Sequence, residues 1–128
     1  MDAPAPPPSF RFRPHEHLRR PADFQRVYDR RRSASDAWII VYVCENGLPY
    51  LRLGLSASRR YGNAVRRNRL RRLYREAFRL TRHEMPTGLD VVVIPRKPEE
   101  PTLDDLKRSL PRQVRHAARK LAQEGRAP

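Results

Sequence analysis

Three features of the sequence predict an α+β domain, a two-layer sandwich in which helices cover a sheet of short strands. Runs of β-branched and aromatic residues, too short for helices, alternate with segments whose apolar residues recur three and four positions apart. The length, 128 residues, is that of one domain. An apolar share of 38%, with five glycines besides, is enough to build a core. The predicted order is α-β-β-(β)-α-β-α, a third strand before the long helix being left optional, and no internal repeat is present.

Four of the first eight residues are proline, and no periodic pattern accompanies them, so residues 1–14 are expected to be an extended tail outside the fold. Within it, Phe10, Arg11, Phe12 and Arg13 could touch RNA or a partner, but a passive tail is the simpler expectation. The domain is placed at 15–124, with 125–128 as a C-terminal tail. Pro21 suits the first turn of a helix, and Phe24, Val27 and Tyr28 then share one face. The run Trp38 to Val43 is strand-like, and Glu45 to Pro49 is turn-like. Leu51, Leu53 and Leu55 alternate with polar or small residues, giving a second strand to Ser58 that is expected to pair with the first as a hairpin. A long helix should run from Asn63 to Thr81 between Gly62 and the Pro86-Thr87-Gly88 break. Leu89 to Ile94 is an apolar strand closed by Pro95. Thr102 and Asp105 approximate a capping box for a last helix to Gln123, which Pro111 is expected to kink or reset.

Composition excludes several functions. No apolar run is long enough to span a membrane, and no apolar stretch precedes a small-residue cleavage site, so an intracellular, cytoplasmic protein is expected. The lone Cys44 can form no internal disulfide and lies in no metal-ligand spacing, which excludes structural zinc. Lys and Arg number 28 against 14 Asp and Glu, a formal charge of +14. Only Lys97, Lys107 and Lys120 are lysines, leaving 25 arginines. Genome composition alone could bias the choice, but arginine also pairs bidentately with phosphate and stacks on bases.

Placement says more than the total. Nine arginines and one acidic residue, Glu76, lie between Arg59 and Arg79, a net +8 in 21 residues. At about 100° per residue with Arg66 at 0°, Leu70, Leu73, Ala77 and Leu80 fall within about 40° of it, a core stripe. Arg67, Asn68, Arg71, Arg72, Arg75 and Arg79 occupy the opposite arc. Solvated helix faces usually interleave Glu with Arg, whereas Arg67/Arg71, Arg71/Arg75 and Arg75/Arg79 each repel by a few tenths of a kcal/mol. Such repulsion points to an external polyanion. The apolar stripe is needed for the core, which argues against a membrane surface.

The stretch Arg59-Arg60-Tyr61-Gly62-Asn63-Ala64-Val65-Arg66-Arg67-Asn68-Arg69-Leu70-Arg71-Arg72-Leu73-Tyr74-Arg75-Glu76-Ala77-Phe78-Arg79 closely resembles the signature of the bacterial ribonuclease P protein component. The likeness extends through Asp23 to Tyr28, Ser56-Ala57-Ser58 and Asp90 to Lys97. The resemblance implies an α-β sandwich with a left-handed β-α-β crossover, against the usual right-handed rule. It implies a protein that joins a catalytic RNA, which uses Mg2+ to remove the 5′ leader of precursor tRNA, so that the endonuclease chemistry lies in the RNA and the protein holds no metal or cofactor tightly. Its partners would be that RNA and the leader, the protein being otherwise monomeric. The RNA-binding positions implied are Arg59, Arg60, Arg66, Arg67, Asn68, Arg69, Arg71, Arg72 and Arg75. Phe24, Tyr28 and Tyr42, with Arg60, match a cleft for the single-stranded leader, where exposed aromatics would stack unpaired bases. From spacing alone Phe24 reads as core rather than cleft, and which face of the Tyr42 strand is open stays undecided. Asn63 suits a helix cap and Asn68, mid-helix, a ligand role.

Tyr61 stands where the family usually has an aliphatic residue, and the Pro-rich start is longer than usual. The histidines are scattered and no carboxylate cluster suggests a two-metal nuclease. The rival reading is a structural RNA binder such as a ribosomal protein or RNA chaperone, with the same basic helix and no leader cleft. A DNA-binding helix-turn-helix does not fit, because a strand precedes the basic helix.

Overall fold

A computed structural model describes residues 12–57 and 61–124. After a 3-10 turn at Pro14–Glu16 come α1 (Pro21–Asp29), β1 (Ser33–Ser35), β2 (Ile39–Glu45), β3 (Arg52–Leu55), α2 (Ala64–Thr81), a second 3-10 turn at Arg82–Glu84, β4 (Leu89–Pro95) and α3 (Leu103–Glu124). The α+β class, a four-stranded sheet with three helices, is the one the sequence predicts.

The strand order is β1-β2-β4-β3. The expected hairpin between the second and third strands is therefore absent: β4 lies between them, antiparallel to β2 (Val41 opposite Val93) and parallel to β3 (Leu53 opposite Val91). The reason is legible in β4 itself. Val91, Val92 and Val93 are fully buried, so both faces of this strand need cover, and only a central position gives it. The leucines of β3 alternate with Arg52 and Gly54, which suits an edge. The loop from Asn46 to Leu51 thus crosses one strand position, about 10 Å at the usual spacing, and β3, α2 and β4 form a parallel crossover. The short β1 carries no periodic signal; Ala34 is buried and the strand is held by its ladder to β2.

Side-chain alternation divides the apolar residues between two faces. Ile39, Val41, Val43, Leu53, Val91 and Val93 meet Leu70, Tyr74, Ala77 and Phe78 of α2 and Leu106, Leu110, Val114 and Ala117 of α3. On the other face Cys44 and Val92 pack against Leu18 and Val27, with Phe24, Tyr28, Tyr42 and Ile94 half-buried around them. A buried carboxylate ties this second layer down. Asp90 of β4 is wholly buried and accepts from Arg52 Nε at 2.7 Å and Nη2 at 2.6 Å, from Asn46 Nδ2 at 3.0 Å and from Arg26 of α1. Burial pushes the Asp90 carboxyl up, but these hydrogen bonds from Arg52, Asn46 and Arg26 outweigh it and hold the group below its ordinary range.

Two further expectations change. The helix α3 runs unbroken through Pro111, whose ring is buried. Its capping box forms as expected: Asp105 N donates to Thr102 Oγ1 at 3.1 Å and Thr102 N to Asp105 Oδ2 at 2.9 Å. The fold also begins earlier than residue 15. Phe12 packs edge-on against Phe78 with ring centroids 4.8 Å apart, and Glu16, buried, accepts from Arg13 N and from Arg82 beyond α2. An aromatic residue with an apolar surface within reach does not stay in a passive tail. Phe10 and Arg11 lie outside the described residues.

Candidate nucleic-acid interface

The basic helix begins where predicted. Asn63 is extended, at φ −74° and ψ 177°, and its Oδ1 accepts from Arg66 N at 3.0 Å, satisfying one of the free amides of the first turn. Gly62, at φ +112°, makes the preceding turn; a side chain there would also collide with that of Arg66.

The buried stripe of α2 is Leu70, Tyr74, Ala77, Phe78 and Thr81, rotated by roughly 60° from the expected one. Tyr74 and Phe78 go inside in preference to Leu73 and Leu80, because two aromatic rings remove more apolar surface from water. The rotation sorts the arginines. Arg66, placed by spacing beside the leucines, turns its head to the Pro98 carbonyl, and Arg69 pairs with Glu100 at 2.9 Å. Arg71 Nη1 donates to Asn68 Oδ1 at 3.2 Å, so the mid-helix asparagine orients a neighbouring cation. Arg79 pairs with Glu76. Arg67, Arg72 and Arg75 have no carboxylate partner among the described residues. Arg67 stands at the border of the buried stripe: its Nε is shielded from water and has no acceptor among them. A shielded donor without an acceptor costs on the order of 1–3 kcal/mol. Arg59 and Arg60 lie outside the described residues.

The three aromatic residues assigned to the second surface come together on the sheet face opposite α2 and α3. The Tyr28 and Tyr42 rings meet at 5.3 Å, nearly perpendicular. The Phe24 ring lies directly on the backbone of β3 at Gly54, where an added Cβ would come within 2.7 Å of Phe24 Cζ. Glycine is thus the residue that lets α1 settle. All three rings are half-buried, which answers both open questions: Phe24 is partly core and partly accessible, and the Ile40/Tyr42 side of β2 is the open one.

Because β3 is an edge strand, the aromatic layer and the arginine helix meet around it. A cleft of about 280 Å³ there is bordered by Phe24 and Leu18 from the aromatic layer and by Leu55, Arg71 and Arg75 from the α2 side, and is lined also by His17. Phe12, His17 and Arg19 belong to this cleft and were not singled out by spacing. The aromatic-basic alternation of residues 10–13 is a sequence signal for Phe12 alone. His17 stacks edge-on against Phe12 at 3.8 Å. Burial, and then the nearby charges of Arg75 and Arg19, hold its pKa below the ordinary imidazole value.

Among the described residues no group of three or more His, Cys, Asp or Glu could hold a metal ion, and no helix is long and apolar enough to cross a membrane.

Residues 12–121 match the family model described as Ribonuclease P. The ribonuclease P protein component of Thermotoga maritima is 42% identical over 86 residues, 67% of this chain and 74% of that protein. That of Syntrophobacter fumaroxidans is 47% identical over 89 residues, 69% and 75% of the two chains. The Staphylococcus aureus RNase P protein structure superposes with a TM-score of 0.69 at 34% identity, covering 80% of this chain and 94% of that one. The Thermotoga maritima structure gives 0.68 at 36% identity, covering 74% and 91%.

Proposed function

The chain belongs to the ribonuclease P protein component family, and from that premise we propose how its surfaces divide the work of tRNA 5′ maturation. As a component of an endoribonuclease complex, the protein partners the ribonuclease P RNA and precursor tRNA. In this reading α2 carries the catalytic RNA: Arg67, Arg72 and Arg75 meet phosphates directly, while Arg66, Asn68, Arg69 and Arg71 exchange present partners for RNA. Arg59 and Arg60 lead into the same surface. The 5′ leader enters by the cleft at Phe24 and runs across Tyr28 and Tyr42 of the same layer, its unpaired bases stacking on half-buried rings.

The single observation that supports this most is the continuity of the cleft. Phe24 and Arg75 border one concavity, so a strand on the arginine helix can pass over the β3 edge to the aromatic layer. A generic structural RNA binder has no need of that passage. Catalysis is assigned to the RNA. Among the described residues the buried carboxylates, Asp90 and Glu16, are committed to arginine partners. Mg2+ does not fit a dedicated cage of the described residues, so we assign it to the RNA and take no step through the protein. The compartment that suits such a complex is the cytoplasm.

Reconstitution tests the reading. Protein alone should leave precursor tRNA intact, and protein with the matching catalytic RNA should cut it accurately at low Mg2+. EDTA-sensitive cleavage by protein alone would overturn the assignment. Tyr28→Ala should lower preference for precursor over mature tRNA about tenfold, the worth of one stacked base; equal binding of both by the wild-type complex would remove the leader cleft.

A further inference from the structure

The outer face of α3 is a second basic surface that the function above leaves unused. From Leu106 to Gln123 the helix carries six cations, Lys107, Arg108, Arg112, Arg115, Arg119 and Lys120, and no carboxylate. Arg108, Arg112, Arg115 and Arg119 follow at spacings of four, three and four, so they form one stripe, about 16 Å long at 1.5 Å per residue. That stripe lies diametrically opposite the buried residues Leu106, Leu110, Gln113, Val114, Ala117 and Leu121. Arg108 pairs with Asp105 at 3.1 Å, while Arg115 and Lys120 donate only to main-chain carbonyls, at Glu84 and Ser33. Lys107, Arg112 and Arg119 have no partner among the described residues. As on α2, cations at i and i+4 (Arg108/Arg112, Arg115/Arg119) repel one another with no acidic residue interleaved, which a merely solvated helix avoids.

We infer that this stripe binds a second segment of the catalytic RNA, so that the protein clamps two parts of one RNA; the inference rests on the family reading above. Charge complementarity selects a nucleic-acid backbone. Position selects which one. The helices α2 and α3 pack side by side on the same face of the sheet, whereas the aromatic layer assigned to the leader lies on the other. An RNA seated on α2 can continue onto α3, while the leader layer lies on the sheet face opposite α3.

Directed cleavage tests this on the assembled complex. Iron-EDTA is tethered to a cysteine introduced by Arg112→Cys, or for comparison by Arg72→Cys, each in a Cys44→Ser background. The expected result is cuts in the catalytic RNA from position 112, at nucleotides different from those cut from position 72. Cuts from position 72 with none from position 112, or cuts from 112 confined to precursor tRNA, would overturn the inference. No cuts from position 72 would instead overturn the assignment of α2, a distinguishable failure. In parallel, Arg112→Ala/Arg115→Ala/Arg119→Ala should keep the wild-type circular dichroism and melting temperature and bind the catalytic RNA at least tenfold more weakly. Unchanged affinity would refute the second surface.

Discussion

Two sets of arginines in this protein have opposite circumstances. Within the fold, Arg26 and Arg52 converge on Asp90, Arg30 bridges Glu45 at 3.0 Å and Glu124 at 2.6 Å, and Arg82 holds the buried Glu16. On α2, Arg67, Arg72 and Arg75 face no carboxylate among the described residues. The first set is architecture. Bidentate geometry and desolvation make Arg52 and Asp90 a joint between β3 and β4, and Arg26 extends that joint to α1. The second set costs the helix self-repulsion and returns nothing to the isolated fold. Net charge alone cannot tell these sets apart; partner geometry can.

The comparison breaks first at Asp90. Asp90→Asn removes the charge on which two arginines depend, and unfolding should become easier by about 3 kcal/mol, as for other broken buried pairs. Chemical denaturation measures it; a loss under 1 kcal/mol would make the joint decorative. The pH dependence has a definite sign. The folded pKa of Asp90 lies below its unfolded value of about 3.9, so its contribution is complete well above that value and is lost as pH falls through the folded pKa. Asp90→Asn should therefore flatten the acid limb below about pH 4.

Next comes the packing of α1 over β3. Gly54→Ala sets a methyl against the Phe24 ring and should destabilise by about 2 kcal/mol, as overpacking does. Leader discrimination should fall with it, because Phe24 must move. Wild-type stability in this variant would show that α1 sits loosely.

The unpaired set should respond the other way. Arg67→Ala is expected to lower affinity for the catalytic RNA about tenfold without loss of stability, because it also removes a shielded donor that has no acceptor among the described residues. The smallest effect belongs to an intermediate case. Glu100→Gln frees Arg69 from a surface pair, leaves stability unchanged and should raise RNA affinity two- to threefold, in line with the small worth of exposed pairs. Weaker binding in that variant would mean that Glu100 positions Arg69 for RNA.

Much of this was legible in the chain because the signals are local. The cap at Asn63, the box at Thr102 and Asp105, the extent of α2 and its arginine face depend on residues within a few positions of one another. Strand order was not local. The pairing of Leu53 with Val91 spans 38 positions of chain, and only the unbroken valine run of β4 hints that it is central. The buried stripe of α2 differs from the one its leucines predict for a related reason. Counting leucines ignores that Phe12, arriving from far upstream, covers Phe78 and so makes an aromatic stripe the better core. Likewise the cleft aromatics were identified by matching motif positions, but the arginine-aromatic junction depends on β3 lying at the edge. Tyr61, a departure from the family pattern, is buried with its hydroxyl donating to the Pro95 carbonyl, a bond an aliphatic residue cannot make.

The division between the two arginine sets is tested most directly by the salt dependence of assembly with the catalytic RNA. If about five α2 side chains meet phosphates, log K against log salt should slope by roughly −3.5 for single-stranded contacts. Arg67→Ala/Arg72→Ala/Arg75→Ala should make that slope shallower by about 2 without loss of stability. A slope unchanged in the triple variant would contradict the account, placing the RNA elsewhere on the protein.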